Sequence, residues 1–74
     1  HMERHLMASR STRRLITDRL RQAEKFLDDA NGKLSEVKAT YFELGYPHGA
    51  ELEMISEALQ LSRVSVERFR RERA

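Results

Sequence analysis

Arginine carries most of the chemistry in this sequence. Arg63, Arg68, Arg70, Arg71 and Arg73 crowd one segment near the end, with Ser65 among them. Guanidinium forks match phosphate and carboxylate geometry better than lysine does. On a helix laid in a DNA major groove, Arg63 and Arg68 would reach guanine edges, and Ser65 a base or a phosphate. Arg70, Arg71 and Arg73 would hold the phosphate backbone, as would Lys38 and Tyr46 from across the groove. The same residues also fit an ordinary exposed helix. Glu67 and Arg71 support such a helix at i,i+4, and cations favour its C-terminal end.

Other chemistry is nearly absent. His48 close to Glu51 suggests an acid–base pair, but no nucleophile, oxyanion loop or pocket-forming length accompanies it. His48 therefore reads as an exposed loop residue. His1 and His5 have the i,i+4 spacing of metal ligands, but His1-Met2 resembles a cloning remnant and explains them. The chain has no cysteine, no zinc-ligand pattern and no Gly-rich phosphate loop. No enzyme activity, metal, cofactor or small-molecule substrate is expected.

Charge is segregated along the 74 residues, although the total is only +2. Residues 1–23 carry six arginines against Glu3 and Asp18. Residues 24–57 carry three lysines against eight acids, and residues 58–74 five arginines against Glu67 and Glu72. The basic ends would meet nucleic acid, or the acidic middle of a second copy. Arg13, Arg14, Arg19 and Arg21 beside Leu15, Ile16 and Leu20 resemble a membrane-surface helix. Asp18, Glu24, Asp28 and Asp29 dilute that charge, so packing or dimerisation is the better reading. No apolar run approaches the roughly 20 residues that span a bilayer, so a cytoplasmic or nucleoid-associated protein is expected.

The elements that must position these groups are helical. With one Pro, three Gly and 35% charged residues, an all-α chain is favoured. Ile16, Leu20, Ala23, Leu27, Ala30, Leu34, Val37, Tyr41 and Leu44 recur at spacings of three and four. That is a strong helix signal and the form of a coiled-coil seam. Phe26 widens the stripe. Ser11 or Thr12 is placed to cap the start. Asn31-Gly32 predicts a break, giving helices near 11–30 and 33–44. One long helix is the alternative, because the heptad phase does not slip there. Gly45 can end a helix in the left-handed conformation, and Pro47 cannot continue one. A helix near 50–60 follows, with Leu52, Ile55 and Leu59 inward. Leu61-Ser62 then reads as a tight turn, with Ser62 capping a last helix near 63–73 that faces Val66 and Phe69 inward. Ser56 supplies a small residue where these two helices would cross.

Residues 33–69 resemble the homeodomain and the wider homeodomain-like superfamily. Val37 and Tyr41, Tyr46-Pro47, Ile55, Ser56 and Leu59, then Leu61, Val66 and Phe69 carry the likeness. The resemblance implies a three-helix DNA-binding unit in which Tyr46 touches a phosphate and Phe69 takes the place of the core tryptophan. The sequence also departs from the family. Arg70 stands where the family has a core phenylalanine, and Glu72 where it has the asparagine that pairs with adenine. The family's flexible Arg-bearing arm is replaced by the amphipathic pattern.

The expectation is an all-α protein, a small bundle of three to four helices ending in a helix-turn-helix. Residues 1–8 would lie outside the fold. Residues 9–74 would form one domain, an amphipathic helix near 11–30 followed by the three-helix unit near 33–73. Its function would be DNA-binding regulation on double-stranded DNA, as a homodimer joined through Ile16, Leu20, Leu27 and Leu34. The alternative is a helical module that binds and modulates another protein without reading DNA. Such brevity would suit a phage, plasmid or bacterial source.

Overall fold

The computed structural model describes residues 9–73. His1 and His5 lie outside them. Two helices account for almost all of it: α1, Arg10–Leu44, and α2, Gly49–Arg73. They form an antiparallel hairpin 59 Å long and 18 by 17 Å in section.

The cap of α1 lies earlier than the sequence suggests, at Ser9 rather than Ser11 or Thr12. The Ser9 Oγ accepts the Thr12 backbone N–H at 3.1 Å and contacts the Thr12 hydroxyl at 2.9 Å. α1 then runs through Asn31-Gly32 without a break, so the separate helices 11–30 and 33–44 are replaced by one. Gly costs about 1 kcal/mol in a helix interior. The unslipped heptad phase offsets that, because half-buried residues continue on both sides of Gly32 at Leu27, Ala30, Asn31 and Leu34. With no end at residue 30, Asp28 and Asp29 meet no helix-terminal dipole.

α1 stops where expected. Gly45 adopts φ 76°, its N–H donates to the Phe42 carbonyl at 3.1 Å, and the Tyr46 N–H donates to the Tyr41 carbonyl at 3.0 Å. These two bonds make a Schellman motif. The turn is short, and α2 starts at Gly49.

α2 is also a single helix. The expected turn at Leu61-Ser62 is absent, so residues 50–73 are not two helices and Ser62 is an interior residue rather than a cap. No Gly or Pro stands there to force a turn, and Leu52, Ile55, Leu59, Val66 and Phe69 keep one helical phase across it. Among the described residues two helices therefore stand where three or four were expected.

The packing is an antiparallel coiled-coil seam. On α1 the residues facing inward are Leu20, Glu24, Leu27, Asn31, Leu34 and Lys38; on α2 they are Leu52, Ser56, Leu59, Arg63, Val66 and Arg70. Both sets step by alternating fours and threes, and both alternate apolar with polar residues. Among the described residues no apolar side chain is fully buried; only Glu24 is, at 8% exposed. Ser56 lets the helices approach, and its Oγ is buried without a hydrogen-bond partner.

Candidate functional site

The hairpin has two unlike broad faces, and the helical phase explains why. In an antiparallel pair, positions to one side of the seam on both helices end on the same face. On one side α1 places Ala23, Phe26, Ala30, Val37, Tyr41 and Leu44, and α2 places Ile55, Ala58, Ser62 and Phe69. On the other side the two helices place Asp28, Lys38, Glu53, Gln60, Arg63, Glu67 and Arg71.

The first face holds a shallow apolar groove lined by Phe26, Ala30, Leu34, Val37, Ile55 and Leu59, with Asp29 and Lys33 on its rim. A second hollow between Val37, Thr40, Tyr41 and Leu44 continues it toward the turn. Phe26 is 74% exposed, and Ile16, Val37, Tyr41, Ile55 and Phe69 are exposed as well.

The second face is tied together by ions. Arg63 donates from Nε to Asp28 Oδ1 at 3.1 Å and from Nη1 to Glu67. Glu67 also takes Arg71 at 2.6 Å. Nearer the turn, Lys38 lies 3.0 Å from Glu53, which also faces His48 at 3.6 Å. At the far end Arg70 forks onto Glu24, with Nε–Oε2 at 2.5 Å and Nη2–Oε1 at 3.4 Å. Hydrogen bonding from Arg70 holds the Glu24 carboxyl below its usual range, against the opposing effect of burial. The Arg63 guanidinium is shifted up chiefly by Asp28, and Arg70 by Glu24.

This geometry redistributes the residues singled out for DNA contact. Arg63, Arg70, Arg71 and Lys38 are engaged by carboxylates of the same chain. Arg73 stacks 3.7 Å over the Phe69 ring and comes within 3.9 Å of Glu72. Ser65 and Arg68 are exposed on α2, and Tyr46 is exposed in the turn. Arg63 and Arg70 face α1, whereas Arg68 points the opposite way, so the set does not converge on one surface. Among the expected interface residues, Leu20, Leu27 and Leu34 are half-buried in the seam between α1 and α2, and Ile16 stays exposed.

Sequence reasoning found the Glu67–Arg71 pair at i,i+4, but not Glu24, Asp28 and Glu53 as partners across the hairpin, nor the second contact of Glu67 with Arg63. Their signal was present: Glu24 shares the seam phase of Leu20 and Leu27. Periodicity gives a residue's side of the helix, but it does not name the partner opposite. Among the described residues no group of His, Asp or Glu could hold a metal ion, and no helix is long and apolar enough to cross a membrane. Comparison with protein families, with curated proteins and with solved structures finds no match.

Proposed function

We propose that this chain is a protein-interaction module, a helical hairpin that works as a homodimer by covering its apolar face with a second copy. One observation carries this reading. The described residues have no fully buried apolar side chain, yet they hold a continuous apolar groove on one face. Chain ordering costs about 1–2 kcal/mol per residue, and a hairpin with so little apolar burial has little to set against it. A cover for the groove is therefore part of the fold. Exposed apolar surface of this kind marks interfaces, and two-fold homodimers are the commonest assembly. The ion-paired face would stay open to a further ligand.

Sedimentation at tens of micromolar tests the reading. The wild-type chain should sediment as a dimer. Phe26→Glu with Ile55→Glu places two charges in the groove, outside the Glu24–Arg70 seam, and should give a monomer of reduced helicity. A wild-type monomer that is helical and melts cooperatively would overturn the proposal.

DNA binding is the second reading, and the exposed Arg14, Arg19 and Arg68 favour it, because they form no ion pair among the described residues. Its marker is affinity for random duplex that falls steeply with salt. Titrations at about 50 and 200 mM salt separate the two readings. The interaction module predicts no duplex binding at either.

A further inference from the structure

The groove's rim is self-complementary. Asp29 and Lys33 are the charged residues that line it, one helical turn apart on the outer edge of α1. The apolar stripe that runs beside them, Ile16, Ala23, Ala30, Val37 and Leu44, is symmetric about Ala30. A two-fold axis crossing α1 at right angles near residues 30–31 maps this stripe onto itself running the opposite way. The same operation brings Asp29 of each copy level with the partner's Lys33. Lys33 already lies 3.7 Å from Glu36 within its own helix, with both side chains well exposed and able to reorient.

The rival two-fold runs along the hairpin axis and lays α1 on the partner's α2. The outer edge of α2 carries Leu61 and Ser65 at the level of Asp29, which offer that carboxylate no cation. Charge therefore distinguishes the two arrangements.

Length supports the first one. The ion pairs Lys38–Glu53 and Asp28–Arg63 show the register of the hairpin, ten residues back along α1 matching ten residues forward along α2. Arg73 then ends near residues 18–21 of α1, and about two turns of α1, roughly 10 Å, project beyond it. That projection bears Arg10, Arg13 and Arg14. Inverted about residues 30–31, it reaches the level of the partner's hairpin turn.

Resting on the homodimer reading, we infer that the occupant of the groove is a second copy in antiparallel orientation. Helix α1 lies on the partner's α1, and Asp29–Lys33 pairs across the two-fold select that register.

Two experiments on the full chain test this arrangement. The first swaps charge. Asp29→Lys alone and Lys33→Glu alone each set like charges across the axis and should weaken the homodimer about tenfold. Mixed together, the two variants should form a heterodimer as tight as wild type, because both cross-axis pairs are restored. Equal weakening of the mixture would overturn the pairing. The second uses the absence of native cysteine. Oxidised Ala30→Cys should cross-link to itself, and Ala23→Cys should cross-link to Val37→Cys but not to itself. Self-linking of Ala23→Cys in a dimeric protein would overturn the antiparallel arrangement and leave the homodimer standing. A monomeric wild type would instead overturn the homodimer itself.

Discussion

At the scale of single residues, the Glu24–Arg70 pair sets the register of the hairpin. It sits among leucines in the seam, where taking charges out of water offsets much of their attraction. Its contribution is therefore more to register than to net stability: a shifted hairpin would leave one of the two charges facing apolar neighbours. Glu24→Gln should lower the urea midpoint, because it leaves the half-buried Arg70 without its counter-charge. Arg70→Met should lower it at least as much. Glu24→Leu with Arg70→Met should recover a large part of the loss, which a double-mutant cycle would record as strong coupling. The pH dependence follows from the direction of the shift. The folded carboxyl titrates below its ordinary value of 4.5, so its stabilisation is fully present above that value. It is lost as pH falls through the lowered folded value. Urea midpoints measured downward from pH 5 should therefore fall less steeply in Glu24→Gln than in the wild-type chain.

At the scale of elements, glycine separates what the sequence disclosed from what it hid. Gly32 lies inside α1, where an added Cβ would meet nothing within 4 Å. Gly32→Ala should stabilise the chain by about 0.5–1 kcal/mol, raising the melting temperature measured by circular dichroism. Gly45 has open space too, but its φ of 76° is left-handed. Gly45→Ala should cost about 1 kcal/mol or more, because a Cβ crowds the backbone there. The contrast explains how the sequence could be read. Helical content, the stop at Gly45 and the seam phase of Leu20, Leu27 and Leu34 were legible, because periodicity and capping act locally. The continuity of α1 through Asn31-Gly32 was legible only as the alternative, in the unslipped heptad phase, and that of α2 through Leu61-Ser62 was not legible. Each depends on packing against the opposite helix, which outweighs a weak local preference. Leu59 and Phe69 make the same point. Both read as inward residues, but only Leu59 is half-buried between the helices, while Phe69 is 42% exposed under Arg73. Leu59→Ala should cost about 2 kcal/mol of hairpin stability, and Phe69→Ala clearly less.

At the scale of the whole molecule, the proposed homodimer makes folding and association one equilibrium. A hairpin whose described apolar side chains all remain partly exposed would, as the proposed homodimer, draw its missing burial from the second copy, and the dimer would be the folded unit. Its melting temperature must then depend on protein concentration. Each tenfold dilution removes about 1.4 kcal/mol per dimer of association free energy. For a folded unit of two such chains that corresponds to a fall of about 3–5 °C. Circular dichroism melts across a hundredfold range of concentration should show this drift, and Phe26→Glu with Ile55→Glu should abolish it along with the folded dimer. Salt adds a second axis. Because the groove is apolar and its rim pairs are few, the melting temperature should change little between low and moderate salt. In Lys33→Glu, where the introduced carboxylate of one copy repels Asp29 of the other, added salt should raise it by screening. A concentration-independent melt in the wild-type chain would mean that the hairpin covers its own groove and that association contributes nothing to its fold.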